Sequence, residues 1–222
     1  MMSARPHVEL LEKHKPRQAR AKRTYDAILH AAAELLVEVG VERISTNLIA
    51  KRAGITVPAL YRYFPNKYSV LNALGASLMD RQNEVFQLWL ENADKTITVD
   101  SLLEDLYRVL KETYEVTLAQ VGGAQIMQCL RAVGPLQEVR LESHRIVSAE
   151  VAESTSTLLN RPMDMVLGLQ VRLAIDVGYS AIEMALEDES LSPENILRQC
   201  ALMLRLYLQD ILIDSASGVK SS

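Results

Sequence analysis

Cysteine is scarce in this chain. Its 222 residues hold two, Cys129 and Cys200, with no CxxC spacing and no partner histidine. That excludes a disulfide framework or a zinc knuckle and leaves two thiols expected to be buried and inert. Glycine (9 residues) and histidine (4) are also few. Neither forms a catalytic pattern: there is no GxGxxG after a strand, no GxxxxGKS/T, no HExxH and no GxSxG. Gly122-Gly123 stands alone and reads as a helix separator. No enzymatic activity, cofactor or metal is therefore expected. Unbroken apolar runs fall far short of the roughly 20 residues that span a bilayer. The opening stretch, Met1 to Lys15, has no apolar signal-peptide core. These absences predict a cytoplasmic protein with no membrane partner. Period-two alternation bounded by turn residues is hard to find, which argues for an all-α chain.

What is present is apolar and unevenly charged. Hydrophobic residues make up 49% of the chain, too many for a disordered one. The net charge of −4 conceals an asymmetry. Residues 1–67 carry twelve Lys and Arg against six Asp and Glu; residues 68–222 carry twelve against twenty-two. A basic N-terminal third on an acidic body suggests that only the first part meets a polyanion, the alternative being a solvated basic face.

The helical signals fall into an ordered series. Residues 1–19 read as a flexible basic arm, with Pro6 and Pro16 opposing a packed element. A first helix is expected from about Lys22 to Val39, its stripe formed by Ile28, Ala32, Leu35, Leu36 and Val39, with Gly40 ending it. Ser45 and Thr46 are placed to cap a second helix, Asn47 to Ala53, and Gly54 supplies a tight turn. Thr56 caps a third helix, with Pro58 in its first turn and Pro65 stopping it near Phe64. Asn66 caps a long fourth helix running toward Leu90. Further helices are expected at about 100–119, 123–133, 135–160, 163–187 and 193–213, before a disordered tail at 215–222.

The informative run is Thr46 to Lys67, TNLIAKRAGITVPALYRYFPNK. It reads as two short helices joined by a glycine turn. Ile49, Ala50, Ile55, Leu60 and Phe64 are spaced to pack against the first helix. Thr56, Val57, Pro58, Tyr61, Arg62 and Tyr63 are left for an exposed face. A face with Tyr, Arg and Tyr and few carboxylates suits an anionic partner, and DNA readers lay such a helix in the major groove.

This stretch resembles the TetR family of transcriptional regulators. Thr46, Ile49-Ala50, Ala53-Gly54-Ile55, Leu60-Tyr61, Tyr63-Phe64 and Asn66-Lys67 carry the likeness, together with Ile28-Leu29, Ala31-Ala32, Leu35-Leu36 and Gly40 upstream. It covers residues 20–75, about a quarter of the chain. The resemblance implies a three-helix helix-turn-helix DNA-binding domain at 20–67 and a larger helical ligand-binding and dimerisation domain at 68–214. It also implies a homodimer on a double-stranded, palindromic DNA operator, mostly in repression, with a small-molecule effector. Carried over by position, Thr46 is the phosphate-contacting cap of the second helix and Asn47 a base reader. Val57 and Pro58 face bases, and Tyr61, Tyr63 and Lys67 face phosphates. Tyr63 replaces a commoner histidine, and its hydroxyl can still donate to phosphate. Val57 offers no hydrogen bond, so base reading shifts toward Asn47, Thr56, Arg62 and DNA shape. The tyrosines have an alternative role in packing against the fourth helix, Arg62 and Lys67 as solvated cations, and Asn47 as a plain helix-start residue.

The acidic body is less specific. Trp89, Tyr107, Tyr114, Met127, His144 and Tyr179 are candidate ligand contacts, chosen because their polar or polarizable tips suit a mostly apolar effector; ordinary core is the alternative. The last two helices are expected to pair across a two-fold axis through Leu169, Leu173, Val177, Leu197, Leu204 and Leu208. A non-specific architectural DNA binder without an effector is the competing function, and it does not account for so large an apolar body.

Overall fold

The structure is a computed structural model and describes residues 18–92, 99–158, 160 and 162–217. Every regular element among them is helical. The helices are α1 (Ala19–Arg43), α2 (Thr46–Arg52), α3 (Val57–Tyr61), α4 (Lys67–Asn92), α5 (Val99–Ala119), α6 (Gly123–Ala132), α7 (Gln137–Leu158), α8 (Met165–Glu187) and α9 (Pro193–Ser217), with a 3-10 turn at Gly134–Leu136. The all-α class and the N-terminal three-helix arrangement are as expected. Arm residues 1–17, with Lys13, Lys15 and Arg17, and tail residues 218–222 lie outside the described set. The chain divides into two compact units. One spans Met1–Met79 with Ala119–Arg140, and the other Asp80–Leu118 with Leu141–Ser222, each taken over its described residues. Within α4 the boundary between them falls between Met79 and Asp80.

In the first unit α1 buries Ile28, Ala31, Ala32, Leu35 and Leu36 along one stripe. Its regular course breaks at Gly40, whose φ of 72° lies where a side chain is disfavoured. Arg43, three residues on, still belongs to α1. Ser45, not Thr46, caps α2: its hydroxyl accepts from the Leu48 N–H at 3.3 Å, and Thr46 becomes the first helical residue. The next turn uses Gly54 at φ 67°, and Thr56 caps α3 by accepting from the Ala59 N–H. The third helix is shorter than expected. The Arg62 and Tyr63 N–H groups turn back to the carbonyls of Ala59 and Leu60, three residues behind, so the last turn tightens before Pro65 is reached.

Ile49, Leu60 and Phe64 are fully buried, each contributing roughly 1.5–3 kcal/mol of apolar burial. Asn66 caps α4 as expected: its Oδ1 accepts from the Ser69 N–H at 3.0 Å, and the Asn66 N–H donates to Ser69 Oγ. The Gly122 prediction gains a packing reason. A Cβ there would stand 3.0 Å from the Ala33 carbonyl oxygen, so glycine permits the close approach of the α6 start to α1.

In the second unit α8 turns Leu167, Val171, Ile175, Tyr179 and Ile182 inward, and α9 adds Leu197, Ala201 and Leu204. Asp164 caps α8 by accepting from the Leu167 N–H at 2.7 Å. Gly178 lies under Leu110, and a Cβ there would come within 3.0 Å of Leu110 Cδ2. Two buried or half-buried polar pairs tie helices together: Gln82 Nε2 donates to Thr117 Oγ1 at 2.6 Å, and Ser143 Oγ to Asn83 Oδ1 at 2.8 Å. By length and composition α8 (23 residues, mean hydropathy 1.3) would suffice to cross a membrane, but Arg172 and Asp176 interrupt it and its inward stripe is core. The last helix continues to Ser217, so Ser215 to Ser217, expected in the tail, are its final residues.

Candidate functional site

The proposed reader is built from α1 upward. Arg52 at the end of α2 reaches back to α1, with Nη1 and Nη2 donating to the two carboxylate oxygens of Glu38 at 2.7 and 2.6 Å and Nη1 also to Glu34 at 3.1 Å. The hydrogen bonds to Glu38 and Glu34 raise the Arg52 pKa above its ordinary value, and the bond from Arg52 lowers that of Glu38. This bidentate clamp fixes α2 on α1 and occupies one of the basic residues counted toward a DNA-binding charge.

Across the turn, the Thr46 and Tyr61 hydroxyls lie 3.2 Å apart and share a hydrogen bond. On α3, Leu60 points inward while Tyr61 stays 42% exposed. Thr56, Pro58 and Arg62 are exposed, as is Asn47 on α2, and Val57 and Tyr63 are half-buried. Tyr63 meets the Tyr25 ring of α1 edge-on, with centroids 6.4 Å apart, so it packs against α1. The Lys67 amine donates to the Val41 carbonyl at 3.0 Å and lies over the Tyr68 ring, half-buried. Thr46, Asn47, Thr56, Val57, Pro58, Tyr61, Arg62, Tyr63 and Lys67 therefore all lie on or beside the α2–turn–α3 segment.

Residues 28–74 match the family described as "Bacterial regulatory proteins, tetR family". Over that stretch the chain is similar to the TetR family. The chain is 41% identical over 54 residues to the class C tetracycline repressor protein of Escherichia coli, covering 24% of this chain and 25% of that protein. It is 36% identical over 69 residues to an uncharacterized HTH-type transcriptional regulator of Mycobacterium tuberculosis, 31% and 35% of the two chains. The chain thus spans a quarter to about a third of the length of these curated relatives. A solved TetR-family regulator from Streptomyces coelicolor superposes with TM-score 0.62 at 26% identity over 85% of this chain and 99% of its own. The fatty acid degradation regulator FadR of Bacillus halodurans shares the fold, with TM-score 0.65 at 20% identity over 86% and 97%.

The second unit holds an apolar cavity of about 110 Å³. Of the six residues suggested by sequence, Trp89 and Tyr179 line it, and His144 stacks on Tyr179 with ring centroids 4.2 Å apart. Tyr107 and Tyr114 are not among its lining residues; Tyr107 instead lies beneath the Arg198 guanidinium, 4.2 Å from its ring centroid. Met127 is buried in the first unit. Phe86, Val109, Leu110, Val171 and Ile175 line the cavity and were not singled out from sequence. Their only signal was an apolar helical stripe, which core residues share. Among the described residues no group of three His, Cys, Asp or Glu is arranged to hold a metal.

The pairing candidates divide. Leu169 (58%) and Leu173 (46%) are exposed on α8, and Val177 and Leu208 are half-buried. Leu197 and Leu204 are buried inside their own unit, and Leu204 and Leu208 line the cavity. Among the described side chains of α9, Leu202, Met203, Leu206 and Tyr207 are the exposed large apolar ones instead.

Proposed function

We propose that this chain is a sequence-specific transcriptional regulator of the TetR family acting in the cytoplasm. It binds a palindromic operator as a homodimer and is a repressor released by a small apolar effector. The observation that carries the reading is the α2–turn–α3 segment. Its inner side is sealed by Ile49, Leu60 and Phe64, while Asn47, Thr56, Pro58, Tyr61 and Arg62 stand exposed on it. Asn47, Thr56 and Arg62 supply hydrogen bonds to base edges, Val57 and Pro58 apolar contact with thymine methyl groups, and Thr46, Tyr61, Tyr63 and Lys67 hold the phosphates.

Pairing through the exposed faces of α8 and α9 presents two readers to half-sites ~34–36 Å apart. Leu169, Leu173, Met203 and Leu206 supply the apolar surface that such an interface buries. Effector control runs through α4, which starts at Lys67 beside the reader and carries Phe86 and Trp89 into the cavity wall. A ligand that repacks that wall biases α4, and DNA and ligand must weaken each other by the same factor.

Genome-wide mapping of bound DNA tests the proposal. It predicts a small set of sites sharing a two-fold-symmetric sequence. Uniform coverage instead supports a non-specific architectural binder, which shows no operator preference at any salt.

A further inference from the structure

The wall of the second-unit cavity is almost all hydrocarbon, drawn from residues such as Phe86, Val109, Val171, Ile175 and Leu204. Thr155, Tyr179 and Trp89 are its residues with polar side-chain atoms, and no Lys, Arg, His, Asp or Glu lines it. Tyr179 is 3% exposed, and its hydroxyl has no hydrogen-bond partner among the described residues. A buried hydroxyl in that condition has lost its hydration without replacement, and native interiors rarely tolerate this without a purpose.

The ring carrying this hydroxyl is held in place. It stacks nearly parallel on His144, at an interplanar angle of 9°. His144 Nδ1 lies 2.5 Å from Asp176 Oδ1, and Arg172 Nε donates to the other Asp176 oxygen at 2.7 Å. Burial, helped by the Asp176 charge, pushes the phenol pKa well up, so the hydroxyl stays protonated and able to donate.

We propose that this cavity takes a neutral, mainly hydrocarbon molecule bearing one acceptor oxygen, as in an alcohol, ether, ester or ketone, which the Tyr179 hydroxyl receives. The proposal rests on reading the second unit as the effector domain and names the chemistry of that effector. A carboxylate or an ammonium is disfavoured because the wall offers no counter-charge. The volume is close to that of an apolar engineered cavity of ~150 Å³ that binds benzene, so a ring or a short alkyl segment fills it.

The test titrates the purified full chain, without DNA, with 1-octanol, octanoate, octylamine or toluene at neutral pH by isothermal titration calorimetry. The expected result is 1-octanol binding about ten-fold or more tighter than octanoate or octylammonium. Tyr179→Phe, which keeps the ring and its stacking, weakens 1-octanol roughly five-fold and leaves toluene unchanged. Val171→Phe, which fills the cavity, weakens all of them.

Equal or better binding of octanoate or octylammonium overturns the proposal. So does an unchanged 1-octanol affinity in Tyr179→Phe, or a failure of 1-octanol and toluene to bind at all. These results leave DNA binding by the reader untouched. Conversely, 1-octanol that binds as expected but does not change the retention of a bound DNA duplex confirms the ligand chemistry and removes its regulatory role.

Discussion

Thr46 and Tyr61, fifteen residues apart, meet hydroxyl to hydroxyl at 3.2 Å across the turn between α2 and α3. One is the first residue of α2 and the other the last of α3, so the bond closes the helix-turn-helix at its outer edge, where both side chains remain accessible. The same two residues were assigned to phosphate contact from sequence. Together they offer one more donor and further lone pairs to a partner lying over the segment.

A double-mutant cycle with Thr46→Val and Tyr61→Phe separates the internal bond from DNA contact. In urea unfolding the coupling between the two substitutions is expected at about 0.5–1 kcal/mol. DNA affinity should fall in each single variant by more than the stability change explains. Additive stability effects would mean that the bond contributes nothing to the fold.

Lys67→Ala has two expected effects. The lost donation to the Val41 carbonyl lowers stability modestly, by about 1 kcal/mol. Affinity for all DNA sequences falls together, and the slope of log affinity against log salt drops by roughly one. Fluorescence anisotropy at several salt concentrations checks this. An unchanged slope would confine Lys67 to its structural bond.

The interface proposal distinguishes neighbouring leucines. Leu173→Glu and Leu206→Glu, on exposed surface, should give folded monomers by analytical ultracentrifugation. Leu204→Glu, in the buried core, should instead unfold the chain. A stable dimer in both surface variants would place the pairing surface elsewhere.

That difference also marks how far the sequence could be read. Helix boundaries were legible where Gly54, Gly122 and Pro193 punctuate them with residues that helices reject or place at their ends, whereas Gly40 only kinks α1 and α3 ends ahead of Pro65. The phase of α9 was not. Leu202, Met203, Leu204, Leu206, Tyr207 and Leu208 are apolar all round, so periodicity cannot tell which of them face their own chain. The cavity was illegible for a related reason: Val171 or Ile175 lining a cavity is the same residue as one filling a core. The reader was legible because exposed Tyr61 and Arg62 break an apolar pattern that Ile49, Leu60 and Phe64 keep.

Asp176 gives a pH dependence. Burial opposes its charge, but hydrogen bonds from His144 and Arg172 outweigh this and hold its pKa below the ordinary value. A depressed carboxylate contributes stability that is present above its unfolded pKa of about 3.9 and is lost as pH falls through the lower folded value. Asp176→Asn should therefore be less stable than the parent at pH 7, with the gap closing below the ordinary aspartate range. Urea unfolding across that range measures it. A gap that persists unchanged in acid would show that the pair does not depend on the Asp176 charge.

Burial pushes both cysteine thiols up to about 11, with the Lys67 charge opposing this slightly at Cys129. Iodoacetamide at pH 7 should label neither in the folded chain and both after unfolding, since the thiolate is the nucleophile. Rapid labelling of either in the native protein would contradict the placement of that thiol.

The central claim is that the α2–turn–α3 segment reads DNA sequence, and selection from a pool of random duplexes by the purified chain tests it most directly. The expected result is enrichment of one two-fold-symmetric sequence, with Asn47→Ala or Arg62→Ala relaxing preference at defined positions at a cost of ~1–3 kcal/mol for the preferred site. A pool that remains unenriched, or an enriched sequence bound equally well by a chain carrying both substitutions, would contradict it.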